Sequence, residues 1–497
     1  MKRALIACLL LLAAPAHADD ATEILDYLDR QSEKFAKVAL DIWDYAELGY
    51  LESKSASLLQ SVLAAEGFEI QAGVADIPTA FVASYGEGEP VIGILAEFDA
   101  LPGISQSRAP TREVLEGKDA GHACGHHLFG AGSAAAAIAV RHWIENNNVK
   151  GTVRLYGTPA EEGGSGKVYL VRAGLFDDVD TVLHWHPSDR NAANAESSLA
   201  NKSARFKFRG ISSHAAAAPD RGRSALDGVE AMNFMVNLMR EHVPQETRIH
   251  YIVSQGGKAP NVVPDYAENY YYVRHPNAAV LQTIWDRVIT IATAAAEGTG
   301  TDVDVEVMHG NHSVLPNRNL AEIMHQNLSR VGGVYYSTAE QVFAEKLSQS
   351  FEQSFLGMET EILPLEIRQG MGSTDVGDVS WVVPTAGMRA ATWVPGTAAH
   401  SWQAIASGGT SIGGKGMMVA AKTLALTAKD LMRQPALIQA GRQEFDERRG
   451  VGFIYKSLLG DRKPPLDYRL PKAPSVGRLR PLRNISAKRL METDLVL

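Results

Sequence analysis

Cysteine and positive charge are both scarce in this chain. Its 497 residues include two cysteines, Cys8 and Cys124, and 48 basic against 57 acidic side chains. An acidic balance is a poor match for nucleic acid or for an anionic membrane surface, so we expect neither as a partner. The sequence also lacks a short-period repeat and a long low-complexity tract, so a repeat array is not expected.

Long apolar runs are lacking as well, except at the N-terminus. There, the run ALIACLLLLAA follows Lys2 and Arg3 and precedes the small residues AHA at 16–18. The run is too short for a membrane-spanning helix, which needs about 20 apolar residues. The pattern is typical of a secretory signal peptide over residues 1–18, with a membrane anchor as the alternative. We therefore expect a periplasmic or secreted protein with no membrane contact after cleavage.

Cleavage after residue 18 would leave Cys124 as the one cysteine and change the formal charge from −9 to −11, because Lys2 and Arg3 are removed. An exported protein with a single cysteine has no internal disulfide. Cys124 is then a buried apolar residue, a reactive thiol or a metal ligand. With 45% hydrophobic residues, the chain can bury a large core, and its length indicates more than one domain.

Helix and strand patterns alternate over residues 19–201. The continuous apolar run VIGILAEFD at 91–99, for example, predicts a buried strand that ends in acidic residues. Alternation of this kind predicts an α/β layer with its functional site outside the strand ends. We assign residues 19–201 to the first part of a catalytic domain.

The pattern changes near residue 202, where the predicted order becomes β-α-β-β-α-β. This is the ferredoxin-like split unit, and it covers residues 202–311 as a lid or dimerisation domain. Helices and strands of the first kind resume over 312–435, which predicts a discontinuous α/β catalytic domain with a ferredoxin-like insert. Residues 436–497 are basic and proline-rich, and we expect this C-terminal extension to wrap the surface or to be partly mobile.

Five clusters of metal-ligating side chains fall at predicted strand ends or in loops. They are AEFDALPG with Glu97 and Asp99, HACGHH at 122–127, PAEEGGSG with Glu161 and Glu162, HWHP with His184 and His186, and GTAAHSW with His400. Thiolate, imidazole and carboxylate groups are the ligands of zinc and manganese. A structural zinc site normally closes with cysteine and histidine alone, so the added carboxylates indicate a catalytic site with ligands enough for two ions.

The spacing inside two clusters suggests a division of roles. Cys124 and His126 are separated by one glycine, so a loop can turn both toward one ion. Of the adjacent Glu161 and Glu162, one can bind a metal while the other acts as a general base for a metal-bound water or hydroxide. This arrangement is the usual logic of metal-assisted amide hydrolysis.

Each cluster also has an alternative interpretation. Cys124 with His126 as its base is a possible thiol nucleophile, although this leaves both glutamates unused. His184 also fits a core histidine whose ring nitrogens are hydrogen-bonded, and EEGG also fits a solvent-exposed turn. These alternatives stay open on spacing and composition alone.

The motifs EFDALPG, GHACGHHLFGAGSAAAA, PAEEGG, LHWHP, GISSHAAAAP, APNVVPDYAE, TDVGDVSW and GTAAHSWQ follow one another along the chain. In this order they resemble the dinuclear-metal aminoacylase and carboxypeptidase superfamily over residues 25–435. The match is to its amidohydrolase branch, which includes hippurate, auxin-conjugate and p-aminobenzoyl-glutamate hydrolases. WHP and TDVGDVSW lean toward the last of these. The fold implied by the resemblance is an interrupted α/β domain with a ferredoxin-like insert.

The resemblance also implies a role for each matching residue. Two divalent ions, zinc or manganese, would be held by five ligands, one of them a bridging cysteine: Cys124, His126, Glu162, His186 and His400. Glu161 would be the catalytic base, and Asp99 would support the ligands from behind. His214 would reach the partner's site in a homodimer and polarise the scissile carbonyl. Asn261 and Arg274 would bind substrate, with Arg274 on its carboxylate.

We therefore expect an exported metal-dependent amidohydrolase that cleaves N-acyl or N-aroyl amino acids resembling p-aminobenzoyl-glutamate. A dipeptidase or carboxypeptidase acting on small peptides is the alternative enzyme, and a non-catalytic periplasmic binding protein is the alternative from another class. Two positions depart from the family pattern, since His127 replaces the usual aspartate or asparagine and Glu97 replaces an aspartate.

Overall fold

The protein is described from a computed structural model over residues 20–351 and 354–470. The predicted signal peptide and the end of the predicted extension, residues 471–497, lie outside the described residues. Within the described part of the chain, no helix combines the length and the apolar character needed to cross a membrane.

The chain forms helices and strands in alternation. The helices are α1 Asp20–Tyr45, α2 Ser53–Ala65, α3 His126–Asn147, α4 Glu161–Gly164, α5 Gly166–Arg172, α6 Ala225–Met239, α7 Ala278–Thr299, α8 Arg318–Val331, α9 Thr338–Ser348, α10 Val376–Ser380, α11 Trp402–Gly408, α12 Ser411–Arg433 and α13 Pro435–Arg449. The strands are β1 Glu69–Ala72, β2 Phe81–Glu87, β3 Val91–Ala96, β4 Leu101–Pro102, β5 Ala120–Gly121, β6 Gly151–Gly157, β7 Thr181–Ser188, β8 Ala192–Ser197, β9 Ala200–Arg209, β10 Arg248–Gln255, β11 Tyr266–His275, β12 Asp302–Asn311, β13 Ile367–Gln369 and β14 Thr385–Ala391.

The larger sheet has eight strands in the order β1-β2-β6-β3-β7-β14-β8-β13. Its centre is parallel, since β3 pairs in parallel with both β6 and β7, and β7 pairs in parallel with β14. Antiparallel pairs flank this centre, with β2 against β6 and β8 against β14. Strand β3 is buried throughout, which fits its uninterrupted apolar sequence. The carboxyl ends of the central strands therefore meet at one edge of the sheet.

A layer of helices covers these central strands. Helix α3 contacts β3, β6 and β7, and helices α12 and α8 continue the layer over β14. The run from Ser133 to Val140 in α3 is fully buried and mostly alanine, so α1 and α12 can approach it closely. The resulting core is continuous from these helices to the central strands.

A second sheet of four antiparallel strands has the order β10-β11-β9-β12. With α6 and α7 it follows the chain order β-α-β-β-α-β and has a hydrophobic core of its own. The chain leaves the larger sheet after β8 and returns to it at β13. The predicted α/β fold class is confirmed, and the second sheet has the element order predicted for the insert. Its role as a lid or dimerisation domain and the domain boundaries at single residues stay predictions.

The start of the predicted extension contains a helix that its sequence pattern did not reveal. Its composition suggested a wrapping or mobile tail, yet residues 435–449 form α13. Pro435 stands at the first turn of that helix, where a missing N–H costs nothing. Phe445, on the inner face of this helix, is buried. The described residues after Arg449 run without regular helix or strand.

Candidate metal centre

The candidate site lies at the edge of the larger sheet, where the parallel strands end. Glu97 and Asp99 follow β3, Glu161 follows β6, and His186 lies near the end of β7. The carboxyl ends of parallel strands in an open α/β sheet form the usual crevice for a ligand. Pairing of the strands thus brings together motifs that are far apart in the sequence.

The HACGHH motif forms the turn that leads into α3. Gly125 adopts φ 77°, and a Cβ at this position would lie 2.6 Å from the Cβ of Pro187, so glycine allows the turn to pass beside β7. The turn directs the thiol of Cys124 and the imidazole of His126 to the same side. His126 is fully buried at the first position of the helix.

Asp99 fixes the orientation of His126. The Nδ1 atom of His126 lies 2.9 Å from Oδ1 of Asp99, which leaves Nε2 directed toward the cluster. Burial alone would lower the pKa of His126, but the acidic neighbours Cys124, Glu97 and Asp99 outweigh it and raise this pKa. A carboxylate behind a histidine is the arrangement that orients histidine ligands in metal sites.

A first group of candidate ligands consists of Cys124, His126 and His186. Their ligand atoms all lie within 4.8 Å of one another. The Sγ atom of Cys124 is 3.5 Å from Nε2 of His186, and Nδ1 of His186 donates to the carbonyl of Pro187 at 2.7 Å. Burial and the neighbouring His126 lower the pKa of His186, so its imidazole is neutral and able to bind a metal.

A second group consists of Cys124, Glu162 and His400, again with ligand atoms within 4.8 Å of one another. Nε2 of His400 lies 3.2 Å from Oε1 of Glu162. Hydrogen bonds to Cys124 and Glu162 raise the pKa of His400 to about 11. His400 itself adopts φ 61°, a left-handed conformation that turns its side chain back toward the cluster. Cys124 therefore belongs to both groups.

The donor atoms fit a pair of divalent ions. Glu97, His126 and Glu161 form a third set of ligand atoms within 4.8 Å of one another. Nε2 of His126 lies 3.0 Å from Oε2 of Glu97, and Nε2 of His400 lies 3.2 Å from Oε1 of Glu162, so imidazole and carboxylate atoms face one another in both parts of the cluster. The three sets of ligand atoms share Cys124 or His126, so they form one continuous cluster of donors. Mixed sulfur, nitrogen and oxygen donors are the set expected for zinc or manganese.

The loop that carries the two glutamates has an unusual backbone. Ala160 and Ser165 adopt φ 58° and 60°, so the loop enters and leaves through left-handed residues. The N–H of Ala160 donates to Oε1 of Glu52 at 2.8 Å, and the N–H of Glu162 donates to Oδ2 of Asp99 at 2.9 Å. Burial and the charges of Glu97 and Glu162 raise the pKa of Glu161. A carboxylate of raised pKa suits a general base that works near neutral pH.

A buried lysine, which the sequence motifs did not single out, balances part of the negative charge. Nζ of Lys167 is 2.6 Å from Oε1 of Glu97 and 2.7 Å from Oδ1 of Asp375, with all three side chains buried. Burial lowers the pKa of Lys167, but Asp375 and Glu97 outweigh that effect and raise it. The available signal was a lone lysine beside the apolar run VYLV, since charged residues are rarely buried unless paired.

The site opens into a cavity of about 600 Å³ between the two sheets. Cys124, Glu161 and His400 line one side, and Tyr272 and Arg274 of β11 line another. Nε of Arg274 is buried and, among the described residues, has no hydrogen-bond partner. Its guanidinium lies 5.4 Å from the ring centre of Tyr272. The predicted substrate-binding arginine thus faces the predicted metal ligands across the cavity.

His214 and Asn261 are placed elsewhere within this single chain. Both are exposed, and neither lines the cavity. They lie next to each other, since the N–H of Ala215 donates to the carbonyl of Asn261 at 3.0 Å and His214 pairs with Val262 in a β-bridge. Any contact between these two residues and a substrate requires a second chain or a movement of the second sheet.

The remaining histidines of the motifs take structural positions. His127 bonds to the carbonyl of Gly408 at 3.0 Å, and His122 lies 3.1 Å from the carbonyl of Ile42. His184 lines the cavity, but His186 is the histidine of HWHP that approaches Cys124. Burial lowers the pKa of His184 to about 3, with Lys167 adding to the effect.

Comparison with known proteins agrees with this geometry. Residues 93–404 match Peptidase family M20/M25/M40. The chain belongs to this family. A subunit of the p-aminobenzoyl-glutamate hydrolase of Escherichia coli (strain K12) is 40% identical over 452 residues, which cover 85% of this chain and 94% of the relative. The resemblance inferred from the motifs is confirmed.

Two further comparisons place the chain within the family. The Xaa-Arg dipeptidase of Mus musculus is 31% identical over 434 residues, covering 84% of this chain and 90% of the relative. A dinuclear metal-binding peptidase of the M20 family from Bacillus subtilis has the same fold, with a TM-score of 0.55 and 18% identity over 82% of this chain and 99% of that structure. The protein is therefore a hydrolase that acts on amide bonds.

Proposed function

We propose that this hydrolase is an exported amidohydrolase with two divalent ions, cleaving the amide of N-acyl or N-aroyl amino acids such as p-aminobenzoyl-glutamate. The observation that carries the proposal is the pair of ligand groups sharing Cys124, with Glu161 beside them. Two ions close together with a free carboxylate nearby form the arrangement used for hydrolysis of unactivated amides.

The residues that would hold the ions follow from the two groups. Cys124 would bridge, with His126 and His186 on one ion and Glu162 and His400 on the other. Zinc or manganese bound there would polarise the scissile carbonyl and acidify a water molecule. The thiol of Cys124 would then act as a ligand and not as a nucleophile.

Glu161 would transfer the proton. Its carboxylate reaches the same cluster as Glu97 and His126, and its raised pKa allows it to take a proton from water near neutral pH. It would then deliver that proton to the leaving nitrogen, which needs protonation because an amide anion is a poor leaving group. Lys167, paired with Glu97 and Asp375, would limit the accumulation of negative charge behind it.

Arg274 would hold the carboxylate of the substrate amino acid. Its guanidinium faces the cavity from the second sheet, and an Arg–carboxylate contact fixes both position and direction. A cavity of about 600 Å³ is of the size that small-molecule sites usually have. A second sheet that moves relative to the first would admit substrate and exclude water.

We further propose a homodimer, in which His214 and Asn261 complete the site of the partner. Large apolar side chains are exposed on α6 and on the edge strand β10, with Phe234 exposed by 66% and Ile252 by 62%. Large apolar side chains left exposed on one domain are a feature of interaction surfaces. The E. coli relative is named as a subunit, so a complex with a different chain is the alternative.

A dipeptidase is the second candidate, because the mouse relative is named for dipeptides of the form Xaa-Arg. Glu196 lines the same cavity and pairs with Arg389 at 3.6 Å. A carboxylate in this position could accept a cationic side chain in place of Arg389. The two candidates therefore differ in the charge of the amino acid that leaves.

Export is the part of the proposal that depends on residues 1–18. If those residues are a signal peptide, protein recovered from the periplasm or the medium begins at Asp19. Protein that begins at Met1 in the cytoplasm would contradict this assignment.

The direct test is hydrolysis by the chain from residue 19 onward, stripped with a chelator and reloaded with zinc or manganese. We expect release of the amino acid from p-aminobenzoyl-glutamate only after reloading. Faster cleavage of a dipeptide ending in arginine would favour the second candidate. Absence of turnover on both substrates in a protein carrying two ions would contradict the proposed substrate class.

A further inference from the structure

The described chain after α13 forms a segment that returns to the candidate site. We name residues 450–470 the C-terminal strap. The ring of Phe453 packs on Trp381 with centres 4.7 Å apart, and the hydroxyl of Tyr455 donates to Oδ1 of Asp378 at 2.6 Å. Leu459 is buried in the main core. These contacts fix the strap along the catalytic side of the molecule.

The strap ends at the carbonyl of Glu162, a candidate metal ligand. The hydroxyl of Tyr468 donates to this carbonyl oxygen at 3.0 Å, and Nη2 of Arg469 donates to the same oxygen. The ring of Tyr468 meets Tyr50 edge-on at 5.6 Å, and Tyr50 in turn donates to the carbonyl of Gly164 at 2.7 Å. The strap therefore makes two hydrogen bonds to one carbonyl of the glutamate loop and contacts the loop a second time through Tyr50.

The glutamate loop needs such support because its backbone is strained. Ala160 and Ser165 are non-glycine residues in the left-handed region, and Gly163 between them has φ 88°. Conformations of this kind persist only where surrounding contacts enforce them. Glu52 holds the entry at Ala160, and the hydroxyl of Ser165 pairs with Nδ1 of His309 at 2.6 Å at the exit. The carbonyl between these ends is held by the strap.

The surroundings of Tyr468 and Arg469 fit their contact with Glu162. A Cβ at Gly49 would collide with the hydroxyl oxygen of Tyr468 and would lie 2.9 Å from Cα of Ala160, so any other residue type would force a shift. Arg469 is partly buried, so the hydrogen bond from its Nη2 to the carbonyl of Glu162 is partly shielded from solvent. A hydrogen bond from a charged donor is stronger than one between neutral groups.

We propose that Tyr468 and Arg469 are positioning residues, which hold the backbone of Glu162 so that its carboxylate meets Cys124 and His400. This inference rests on the proposed function, since it assumes that Glu162 binds a metal ion. Groups that orient a metal ligand from behind typically change metal affinity by roughly 10–100-fold when removed. Loss of the two donors should lower the affinity for the ion of the second ligand group and leave the affinity for the ion of the first group unchanged.

The test uses the full mature chain and Zn²⁺ alone, in competition with a chromophoric chelator. The variant Tyr468→Phe combined with Arg469→Met removes both donors and keeps the aromatic ring that contacts Tyr50. We expect one of two zinc ions to bind roughly 10–100-fold more weakly, with the other unchanged. For p-aminobenzoyl-glutamate under the same zinc concentration, kcat should fall while KM stays within about twofold of the wild type.

Tyr455→Phe is the matched control, because it removes a hydroxyl from the same strap without touching Glu162. It should lower the free energy of unfolding and leave both zinc affinities unchanged. If the double variant does not fold, the single variant Tyr468→Phe replaces it in the test. Its affinity for the more weakly bound zinc ion should then lie between those of the wild type and the expected double-variant value.

Two results would overturn the inference. One is a double variant, or a folded Tyr468→Phe variant, whose two zinc affinities equal those of the wild type. The other is a loss of zinc affinity in the Tyr455→Phe control equal to that in the double variant. The strap would then stabilise the fold in general and would not position Glu162. If the wild type binds no zinc or manganese, the proposed function itself is contradicted and the inference falls with it.

Discussion

The two groups of candidate ligands share Cys124 but are held in different ways. In the first group, His126 is fully buried and bonded to Asp99, and His186 is bonded to the carbonyl of Pro187. Both partners lie on or directly after strands of the sheet. In the second group, His400 has 56% of its side chain exposed, and Glu162 belongs to the strained loop.

The difference shows that one site can combine a rigid half and an adjustable half. Ligands fixed by strands and by hydrogen-bonded partners are already oriented before an ion binds, so little conformational freedom is lost. Ligands on a loop must be ordered by contacts from distant parts of the chain. We therefore expect the ion at Glu162 and His400 to leave first when a chelator is added, and the ion at His126 and His186 to leave last.

The largest effect is expected from Cys124→Ala, because Cys124 belongs to both groups. This variant should lose both ions and all detectable activity, whereas His186→Ala and His400→Ala should each lose one. Metal content per chain, measured by elemental analysis after gel filtration, checks this. Retention of two ions by Cys124→Ala would show that the cysteine does not bridge.

Glu161→Gln should separate chemistry from metal binding. Removing a general base typically costs about 10²–10⁴-fold in rate, and we expect a loss of roughly that size in kcat. Both ions should remain, since neither of the two ligand groups that share Cys124 includes Glu161. Steady-state kinetics on p-aminobenzoyl-glutamate together with elemental analysis test the claim. Loss of an ion along with activity would place Glu161 among the ligands.

Asp99→Asn should weaken metal binding by the first ligand group, which includes His126. The new amide would present N–H to Nδ1 of His126, so the histidine proton would move to Nε2 and block metal binding there. We expect roughly 10–100-fold weaker affinity for the ion of the first group, seen in chelator competition. Since Asp99 also accepts from the N–H of Glu162, a smaller effect on the second ion is expected. Equal affinities in variant and wild type would contradict the role of Asp99.

The smallest effect concerns Glu52, which holds the entry of the glutamate loop. Burial, with the charge of Asp99, raises the pKa of Glu52 from its usual 4.5 to about 8. Between these values the folded state keeps a proton that the unfolded chain releases, so this group's contribution to stability is lost as the pH rises toward 8. Glutamine mimics the protonated acid and does not titrate.

Denaturant unfolding of the metal-free protein at about pH 5 and about pH 8 measures this difference. The wild type should lose more free energy of unfolding between the two pH values than Glu52→Gln. Parallel changes in the two proteins would mean that Glu52 is ionised in the folded state at both values.

The sequence predicted the parts of the fold and site that depend on local pattern. Strand β3 was recognisable because it is buried on both faces and therefore uniformly apolar, and the turn at Gly125 because cysteine and histidine crowd around it. Both interpretations rest on neighbours within a few residues. The same holds for the β-α-β-β-α-β order of the second sheet.

Contacts between distant residues were missed for a physical reason. Lys167 meets Asp375 across 208 residues, and Tyr468 meets Glu162 across 306. Nothing in the neighbourhood of Tyr468 distinguishes it from any tyrosine in a polar, proline-rich segment. Helix α13 was missed because basic and polar residues cover its exposed face, and one buried phenylalanine gives a weak periodic signal.

Anomalous diffraction from crystals of the zinc-loaded protein, recorded on both sides of the zinc edge, tests the central claim most directly. We predict two anomalous peaks on either side of Sγ of Cys124, one beside His126 and His186 and the other beside Glu162 and His400. Partial chelation before data collection should reduce the second peak first. A single peak, or two peaks of which neither contacts Cys124, would contradict the bridged two-ion site.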